Sequence, residues 1–256
     1  MESKQQEKKV VATIEARMSS ARLPGKVLKK IGKFPSLELQ VKRMRKSIFI
    51  DEIVIATTNN KADDSIENFC NKINCKVFRG SENDVMERIL HAAQSESADI
   101  QVQITGDCPL IDSEIIDDLI KLILSNQDLD FVSNEIERSF PIGLDCRVFK
   151  VSALEKANKL CKDHTHRVHG STFMYIGEGK KLFKSKNILA PKKLNFPNWR
   201  WTLDTNDDLK FFRTLAKYFN GDLSDLNSAA IVEWLELNPE IAKINQFVKQ
   251  KALEEG

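Results

Sequence analysis

The sequence lacks the long hydrophobic runs and the excess of one charge that mark several common classes of protein. No apolar run approaches the roughly 20 residues that a membrane-spanning helix requires. The chain of 256 residues has 39 Lys and Arg against 37 Asp and Glu, for a formal net charge of +2. Such a balance does not favour wholesale binding to nucleic acid or to an anionic membrane. We therefore expect no nucleic-acid partner and no membrane partner.

Paired cysteines are also missing. The five cysteines are scattered along the chain, and none of them forms a CxxC pair. A disulfide framework and a zinc knuckle are therefore not indicated, and we expect reduced, mostly buried thiols. The first ten residues, MESKQQEKKV, are polar and contain no apolar segment typical of a secretory signal. We expect a cytoplasmic protein.

Short β-rich runs alternate with helical patterns in the first half of the chain. Strands are predicted at 10–14, 52–58, 75–80, 99–107 and 129–134, and helices at 36–47, 63–74, 83–95 and 112–126. Four successive β-then-α units predict an α/β fold with a mainly parallel, doubly wound sheet and helices on both faces. Ligands in such sheets bind beyond the carboxyl ends of the strands.

The alternation loosens between about residues 135 and 200. Strands are predicted at 143–151, 184–191 and 199–204, and helices at 152–161, 206–219, 228–237 and 239–253. The sequence shows no internal repeat and no flexible linker. We expect a single domain over residues 1–256, with the middle segment as an excursion from it.

Cations cluster on the loop that follows the first predicted strand. Arg17, Arg22 and Lys26 lie among small residues in IEARMSSARLPGKVL, where Pro24 stiffens the turn and Gly25 allows close backbone approach. The loop has neither the GxxxxGK[ST] pattern nor the dinucleotide fingerprint. Residue types alone support a triphosphate site and a solvated basic loop about equally.

Two aspartates each follow a predicted strand. Asp107 lies in TGDCPLID (105–112), and Asp204 lies in WTLDTNDDL (201–209). Carboxylates at neighbouring strand ends could share one Mg²⁺, a hard ion that prefers oxygen ligands. A cap or turn role is the alternative for each, and spacing alone cannot pair residues so distant in sequence.

Motifs along nearly the whole chain resemble those of one family. They are IEARMSSARLPGKVL (14–28), ATTNNKADDSI (56–66), RGSENDVMERI (79–89), TGDCPLID, WTLDTNDDL and the ending NPEIAKINQFVKQKAL (238–253). The chain resembles the cytidylyltransferase family that includes the spore-coat polysaccharide biosynthesis protein F group. It is more distantly similar to the synthetases of CMP-ketodeoxyoctonate and CMP-sialic acid.

The resemblance implies a nucleotidyltransferase fold of the glycosyltransferase-A kind. It implies an Mg²⁺-dependent reaction in which CTP and a sugar, sugar acid or related phosphorylated acceptor give a CMP-linked product and pyrophosphate, in surface polysaccharide or glycan precursor biosynthesis. Arg17, Arg22 and Lys26 would hold the triphosphate, and Asp107 and Asp204 the metal. The remaining residues implied to frame the nucleotide are Ala16, Ser19, Asn59, Ser81, Asp84 and Thr105.

The middle segment is implied to bind the acceptor and to pair two copies of the chain. Arg167 and His169 match a family Arg-x-His pair, although HTHRVH (164–169) could also form a zinc site or an exposed helix start. Asp145 could hydrogen-bond a sugar hydroxyl or be a turn residue. We expect a homodimer in which residues 135–190 contact the partner.

Two positions depart from the family pattern. Glu15 stands where the family commonly has Gln, and Thr105 stands where more distant synthetases have Gln. A carboxylate beside a triphosphate is unfavourable unless it points away. Use of another nucleoside triphosphate, a glycosyltransferase activity and a non-catalytic binding subunit therefore remain alternatives.

Overall fold

A seven-stranded sheet organises the chain in the computed structural model, which describes residues 8–251. The strands are β1 (Val10–Glu15), β2 (Lys30–Ile31), β3 (Phe34–Pro35), β4 (Glu52–Thr58), β5 (Lys76–Gly80), β6 (Ile100–Thr105), β7 (Phe131–Ser133), β8 (Arg147–Lys150) and β9 (Ser185–Asn187). The helices are α1 (Ser36–Met44), α2 (Asp64–Lys72), α3 (Val85–Gln94), α4 (Ser113–Ser125), α5 (Val151–Leu160), α6 (His164–Val168), α7 (Asn206–Tyr218), α8 (Ser228–Leu237) and α9 (Pro239–Ala242).

The order of strands across the sheet is β5-β4-β1-β6-β8-β7-β9. Strands β5, β4, β1 and β6 are parallel neighbours, whereas β8 is antiparallel to both β6 and β7. The carboxyl ends of β1, β4, β5 and β6 therefore meet at one edge. The predicted α/β class and the mainly parallel sheet are confirmed.

Alternate residues of β1 pack on opposite faces of the sheet. Ala12 and Ile14 join the apolar cluster that contains the buried side chains of α1 and α4. Val11 joins the second cluster, with those of α3 and α5. A strand buried on both sides reads as a continuous apolar run, which is why VVATI is so recognisable in the sequence.

Helix starts follow local capping chemistry. Asp84 and Asp112 accept hydrogen bonds from the backbone N–H groups of Glu87 and Glu114, at 3.0 Å in both cases. Thr205 forms a reciprocal capping box with Asp208 at the start of α7. These caps place the first turn of each helix directly beyond the end of a preceding strand or extended segment.

Several predicted elements beyond residue 135 are wrong in extent. The strand predicted at 143–151 is confined to β8, and the one at 184–191 is confined to β9. Residues 201–204 have no regular structure, although Arg200 forms an isolated bridge with Ile142. The last predicted helix ends at Ala242 rather than 253, because the following residues make tertiary hydrogen bonds instead; residues 252 and 253 lie outside the described part.

Within residues 8–251, the helices are too short or too polar to cross a membrane.

Candidate active site

A cleft of about 940 Å³ opens at the carboxyl ends of β1 and β6. Its walls come from segments that are distant in sequence. They include residues of 15–27, 82–88, 103–108, 135–147, 164–180, 202–204 and 250–251. We call two parts of it the loop half (Arg17, Ser19, Arg22, Lys26, Asp107 and Asp204) and the mid-chain half (Glu135, Arg138, Asp145, Arg147 and Tyr175).

Two glycines shape the loop half. Gly25 has φ +67°, a left-handed conformation that favours glycine, and its N–H donates to the carbonyl of Met18 at 3.0 Å. The turn directly after it carries Lys26. At Gly106, a Cβ atom would lie 2.5 Å from the carbonyl oxygen of Glu15. Only glycine therefore lets the loop after β6 pass so close to the end of β1.

The ammonium of Lys26 joins the two aspartates expected to bind metal. Its Nζ donates to Oδ2 of Asp107 at 3.0 Å and to Oδ1 of Asp204 at 2.7 Å. The structure thus brings together three residues that are up to 178 positions apart. The pairing of the strand ends across the sheet explains this convergence.

Electrostatics keeps this centre ionised despite its burial. Burial opposes the charged form of Asp107, but the Lys26 ammonium and the hydrogen bonds from Thr105 and Lys26 outweigh it and lower the pKa to about 2. For Lys26, burial favours the neutral amine, yet the two carboxylates prevail and raise its pKa. The three groups hold one another in their charged forms.

Further cations surround Asp204. Its Oδ2 lies 2.9 Å from Nη2 of Arg22 and 2.9 Å from Nη2 of Arg200. Arg200 is itself buried and pairs with the fully buried Asp208, at 2.9 Å between Nε and Oδ1. A buried ion pair with well-formed hydrogen bonds restricts the orientation of its members. Arg200 therefore positions Asp204 in the cleft wall.

The donor set of this centre suits a hard cation only in part. Asp107 and Asp204 present carboxylate oxygens toward a common point, as shown by their shared contact with Lys26. Among the described residues, no group of three or more His, Cys, Asp or Glu could hold a metal ion. Because Mg²⁺ is commonly bound through one or two carboxylates, water and substrate phosphates, two carboxylates are a fitting protein share.

At the mouth of the loop half, Arg17 and Ser19 contact a carboxylate that the sequence reasoning missed. Nη1 of Arg17 lies 3.3 Å from Oε1 of Glu82, and the hydroxyl of Ser19 donates to the same oxygen at 2.7 Å. Hydrogen bonds from Ser19 and Asn60 lower the pKa of Glu82. Glu82 lies inside RGSENDVMERI, so its motif was visible while its partner was not.

The predicted nucleotide residues separate into two groups. Ala16, Arg17, Ser19, Arg22, Lys26 and Thr105 line the cleft. Asn59, Ser81 and Asp84 are not among its lining residues in the described part of the chain. Ser81 accepts a hydrogen bond from the N–H of Asp84 at 3.2 Å, and Asp84 caps α3. The structure gives these two a local role at the start of that helix.

The predicted acceptor residues separate in the same way. Asp145 and His169 line the cleft. The guanidinium of Arg167 is engaged elsewhere: Nε donates to Asp84 at 2.7 Å, and other donors reach Asn158 and the carbonyl of Cys161. This arrangement ties α6 to the start of α3 and the end of α5. The sequence pattern could not distinguish such a tie from a ligand contact.

Paired charges line the mid-chain half. Nη1 of Arg138 donates to Oδ1 of Asp145 at 2.8 Å, and Arg147 pairs with Glu135. The hydroxyl of Tyr175 donates to Glu135 at 3.2 Å. Burial and the nearby Glu135 carboxylate raise the pKa of Asp145, although Arg138 opposes this. These residues, Asp145 apart, are isolated polar positions in an irregular segment, and no sequence signal marked them.

Glu15, the departure from the family pattern, is half-buried at the end of β1 and lines the cleft. Its carboxylate accepts a hydrogen bond from the amide of Gln103 on the neighbouring strand β6. Burial raises the pKa of Glu15. The carboxylate is thus held by the sheet itself.

The histidines of HTHRVH are dispersed in the structure. Nδ1 of His166 lies 3.1 Å from the hydroxyl of Thr172, while His164 and His169 line the cleft. The described residues contain no cluster of potential metal ligands at this segment.

Comparisons with known proteins agree with this geometry. A cytidylyltransferase family model matches residues 11–187. An uncharacterized protein of Methanocaldococcus jannaschii is 39% identical over 247 residues, covering 96% of this chain and 98% of that protein. The spore coat polysaccharide biosynthesis protein SpsF of Bacillus subtilis is 29% identical over 239 residues, covering 91% and 96%.

Solved structures give the same answer. A cytidylyltransferase from Leptospira borgpetersenii serovar Hardjo-bovis superposes with a TM-score of 0.86 at 34% identity, covering 96% of this chain and all of that one. A CMP:2-keto-3-deoxy-manno-octonic acid synthetase complexed with CTP has a TM-score of 0.62 at 16% identity, covering 82% and 99%, which shows a shared fold. The expected nucleotidyltransferase fold is confirmed. The chain belongs to the cytidylyltransferase family and is a CTP-dependent nucleotidyltransferase.

Proposed function

We propose that the protein transfers CMP from CTP to an oxygen of a sugar, sugar acid or related phosphorylated acceptor and releases pyrophosphate. The observation that supports this most is the Lys26 ammonium between Asp107 and Asp204, inside a cleft that Arg22 also lines. The centre combines cations for phosphate with carboxylates for a metal. The Bacillus subtilis relative, named for spore coat polysaccharide biosynthesis, supports a role in making surface glycan precursors.

In the proposed reaction the acceptor oxygen attacks the α-phosphorus of CTP. The new bond forms between that oxygen and phosphorus, and the bond to the bridging oxygen of the β-phosphate breaks. Negative charge then builds on the departing pyrophosphate. Arg17, Arg22 and Lys26 would stabilise it, since fixed cations in a partly dry site act on developing charge without reorganisation.

Asp107 and Asp204 would hold Mg²⁺ at the same end of the cleft. Bound there, the ion would neutralise phosphate oxygens in addition to the lysine and arginines. The carboxylates are kept ionised, as the lowered pKa of Asp107 indicates. Arg200 keeps Asp204 directed into the cleft through its contact with Oδ2.

The mid-chain half would bind the acceptor. Asp145 and Glu135 offer carboxylate oxygens, and Arg138 and Arg147 offer donors, all within a lining that is charge-balanced. Such a surface suits an acceptor with several hydroxyl groups, because each hydroxyl both donates and accepts hydrogen bonds. His169 and Tyr175 lie in the same wall.

A matrix of nucleotides and acceptors tests the proposal. The protein is incubated with Mg²⁺ and CTP, UTP, GTP or ATP, each with ketodeoxyoctonate, sialic acid, sugar phosphates and polyol phosphates, and pyrophosphate is measured. We expect release only with CTP and only with an acceptor of these classes. Release with another triphosphate would shift the base assignment. CTP binding without turnover on any acceptor would favour a non-catalytic subunit, and transfer from a nucleotide sugar would favour a glycosyltransferase.

Residues 135–190 are also proposed to mediate a homodimer. The segment interrupts the β/α alternation and leaves Leu160 and Leu182 exposed by 47% and 44%. A two-fold pairing is the commonest arrangement of identical chains. Light scattering at micromolar concentration is expected to give twice the monomer mass, and a monomer mass would contradict the pairing.

A further inference from the structure

The end of the described chain returns to the cleft. After α9 the chain forms turns over residues 243–247 and then continues without regular structure. We call residues 245–251 the C-terminal strap. Gln250 and Lys251 line the cleft together with Arg22 and Asp204. A segment whose sequence pattern predicted a continuing helix is therefore part of the site wall.

Side-chain contacts anchor the strap at its first residue. Asn245 is 1% exposed, and its amide donates to the carbonyl of Arg200 at 3.0 Å and to Oδ1 of Asp208 at 2.8 Å. A buried amide with two such bonds is costly to displace. The strap is thus tied to the Arg200–Asp208 pair, which also positions Asp204.

Further contacts lie near the other end of the strap. Oε1 of Gln250 accepts from Nη1 of Arg200 at 2.6 Å. The carbonyl of Lys249 accepts from Nη1 of Arg22 at 3.2 Å. Arg22 is therefore held between the strap and Asp204, so the strap orients a cation already assigned to the triphosphate.

The charge balance of the loop half leaves a need for more cations. Lys26, Arg22 and Arg200 face Asp107, Asp204 and Asp208, three cations against three carboxylates. At the cleft mouth Arg17 is paired with Glu82. An incoming triphosphate adds several negative charges to a cluster that is already neutral. An additional cation beside Arg22 would favour its binding.

We propose that Lys251 is a further triphosphate-binding residue, and that the strap positions Lys251 and Arg22 on the same phosphate group. This inference rests on the proposed placement of the triphosphate in the loop half. Lys251 supplies the additional charge, while Asn245 and Gln250 are positioning residues. The strap thereby links the end of the chain to nucleotide affinity.

Titration calorimetry with CTP and Mg²⁺, without acceptor, tests the role of Lys251. We expect Lys251→Gln to weaken CTP binding about 10-fold, as for loss of one charge-assisted phosphate contact. It should also flatten the dependence of Kd on salt, because one cation fewer contacts the triphosphate. Lys251→Arg should restore both properties. Lys243→Gln is the matched control, because Lys243 is exposed just before the strap and is not among the described cleft-lining residues.

A second variant separates charge from positioning. Gln250→Ala removes the contact with Arg200 and should raise Kd about 3-fold with the salt dependence unchanged, as for a neutral hydrogen bond. Wild-type Kd and salt dependence in Lys251→Gln would overturn the inference while leaving the proposed function standing. Absence of CTP binding by the wild-type protein would instead overturn the placement of the triphosphate on which the inference rests.

Discussion

The two halves of the cleft pair their charges over different distances along the chain. In the loop half, Lys26 contacts aspartates that are 81 and 178 positions away. In the mid-chain half, the Arg138–Asp145 and Arg147–Glu135 pairs join residues only 7 and 12 positions apart. The loop half is assembled by the sheet, which brings the ends of distant strands together. The mid-chain half is assembled largely by one segment folding back on itself.

This difference bears on how each half would act. The cations of the loop half are held by carboxylates that a triphosphate or a metal could replace as partners, so its charges are available for chemistry. The pairs of the mid-chain half are largely buried and balanced, and they define the shape and polarity of a wall. We therefore expect substitutions in the loop half to affect the rate of the chemical step, and those in the mid-chain half to affect recognition of the acceptor.

The largest effect is expected for Lys26→Ala. The variant removes the cation between Asp107 and Asp204 and leaves two carboxylates facing each other. We expect kcat for pyrophosphate release to fall about 1000-fold, the upper range for loss of one fixed group that stabilises developing charge. Circular dichroism should show an intact fold. Lys30→Ala, which alters an exposed lysine nearby, is the control, and near-normal turnover by Lys26→Ala would remove Lys26 from the mechanism.

A somewhat smaller effect is expected for Asp107→Asn and Asp204→Asn. Each variant keeps one oxygen ligand and loses the charge, so kcat should fall about 100-fold in both, and added Mg²⁺ should restore only part of it. Asp204→Asn should also lower the melting temperature more, because Asp204 contacts Arg22 and Arg200 as well.

Asp207→Asn is the control for this pair, since Asp207 is exposed on α7. If one of the two variants kept the wild-type rate and the wild-type Mg²⁺ dependence, the shared metal site would be wrong. That aspartate would then be a structural residue of its loop.

Arg138→Ala sharpens the comparison from the other half. Burial and Glu135 already raise the pKa of Asp145, and Arg138 opposes them. Without the guanidinium the pKa should rise further, by about one unit for loss of a close opposite charge. The ionised form of Asp145 is then lost at a higher pH, so the acidic limb of kcat/KM for the acceptor should move upward by about the same amount.

Arg138→Lys keeps the charge and should keep the profile near that of the wild type. Calorimetry should give an unchanged Kd for CTP in both variants. A loss of CTP affinity in Arg138→Ala would show that the two halves are not separate in function.

The smallest effect is expected for the thiols, which occur beside both halves. All five cysteines are free and buried, as expected from the sequence. Burial raises the pKa of Cys70 to about 12 and that of Cys75 to about 11, so few thiolates exist near neutrality. An aromatic disulfide reagent should leave activity unchanged and react only after unfolding in guanidinium. Rapid loss of activity in the native protein would contradict this.

Much of the loop half could be predicted because its residues follow regular elements. The apolar run before Arg17 is a strand buried on both faces, and Asp107 directly follows another. In a parallel sheet such ends share one edge, so local patterns were enough to place these residues near each other. The partners of these residues were less visible, as Glu82 and Arg200 illustrate, because a charge in a motif does not reveal which opposite charge it meets.

The mid-chain half and the strap were decided by tertiary structure. Strand β8 inserts antiparallel between β6 and β7, which no local period specifies, and it brings Arg147 beside Glu135. Likewise Arg167 binds Asp84 instead of lining the cleft. By itself, the sequence determined the class of fold, the strand ends and the cationic loop, because these depend on local periodicity and turn chemistry. The partners of isolated polar residues depend on which buried groups remain to be satisfied once the sheet has formed, as with Asn245, and only the folded chain determines that.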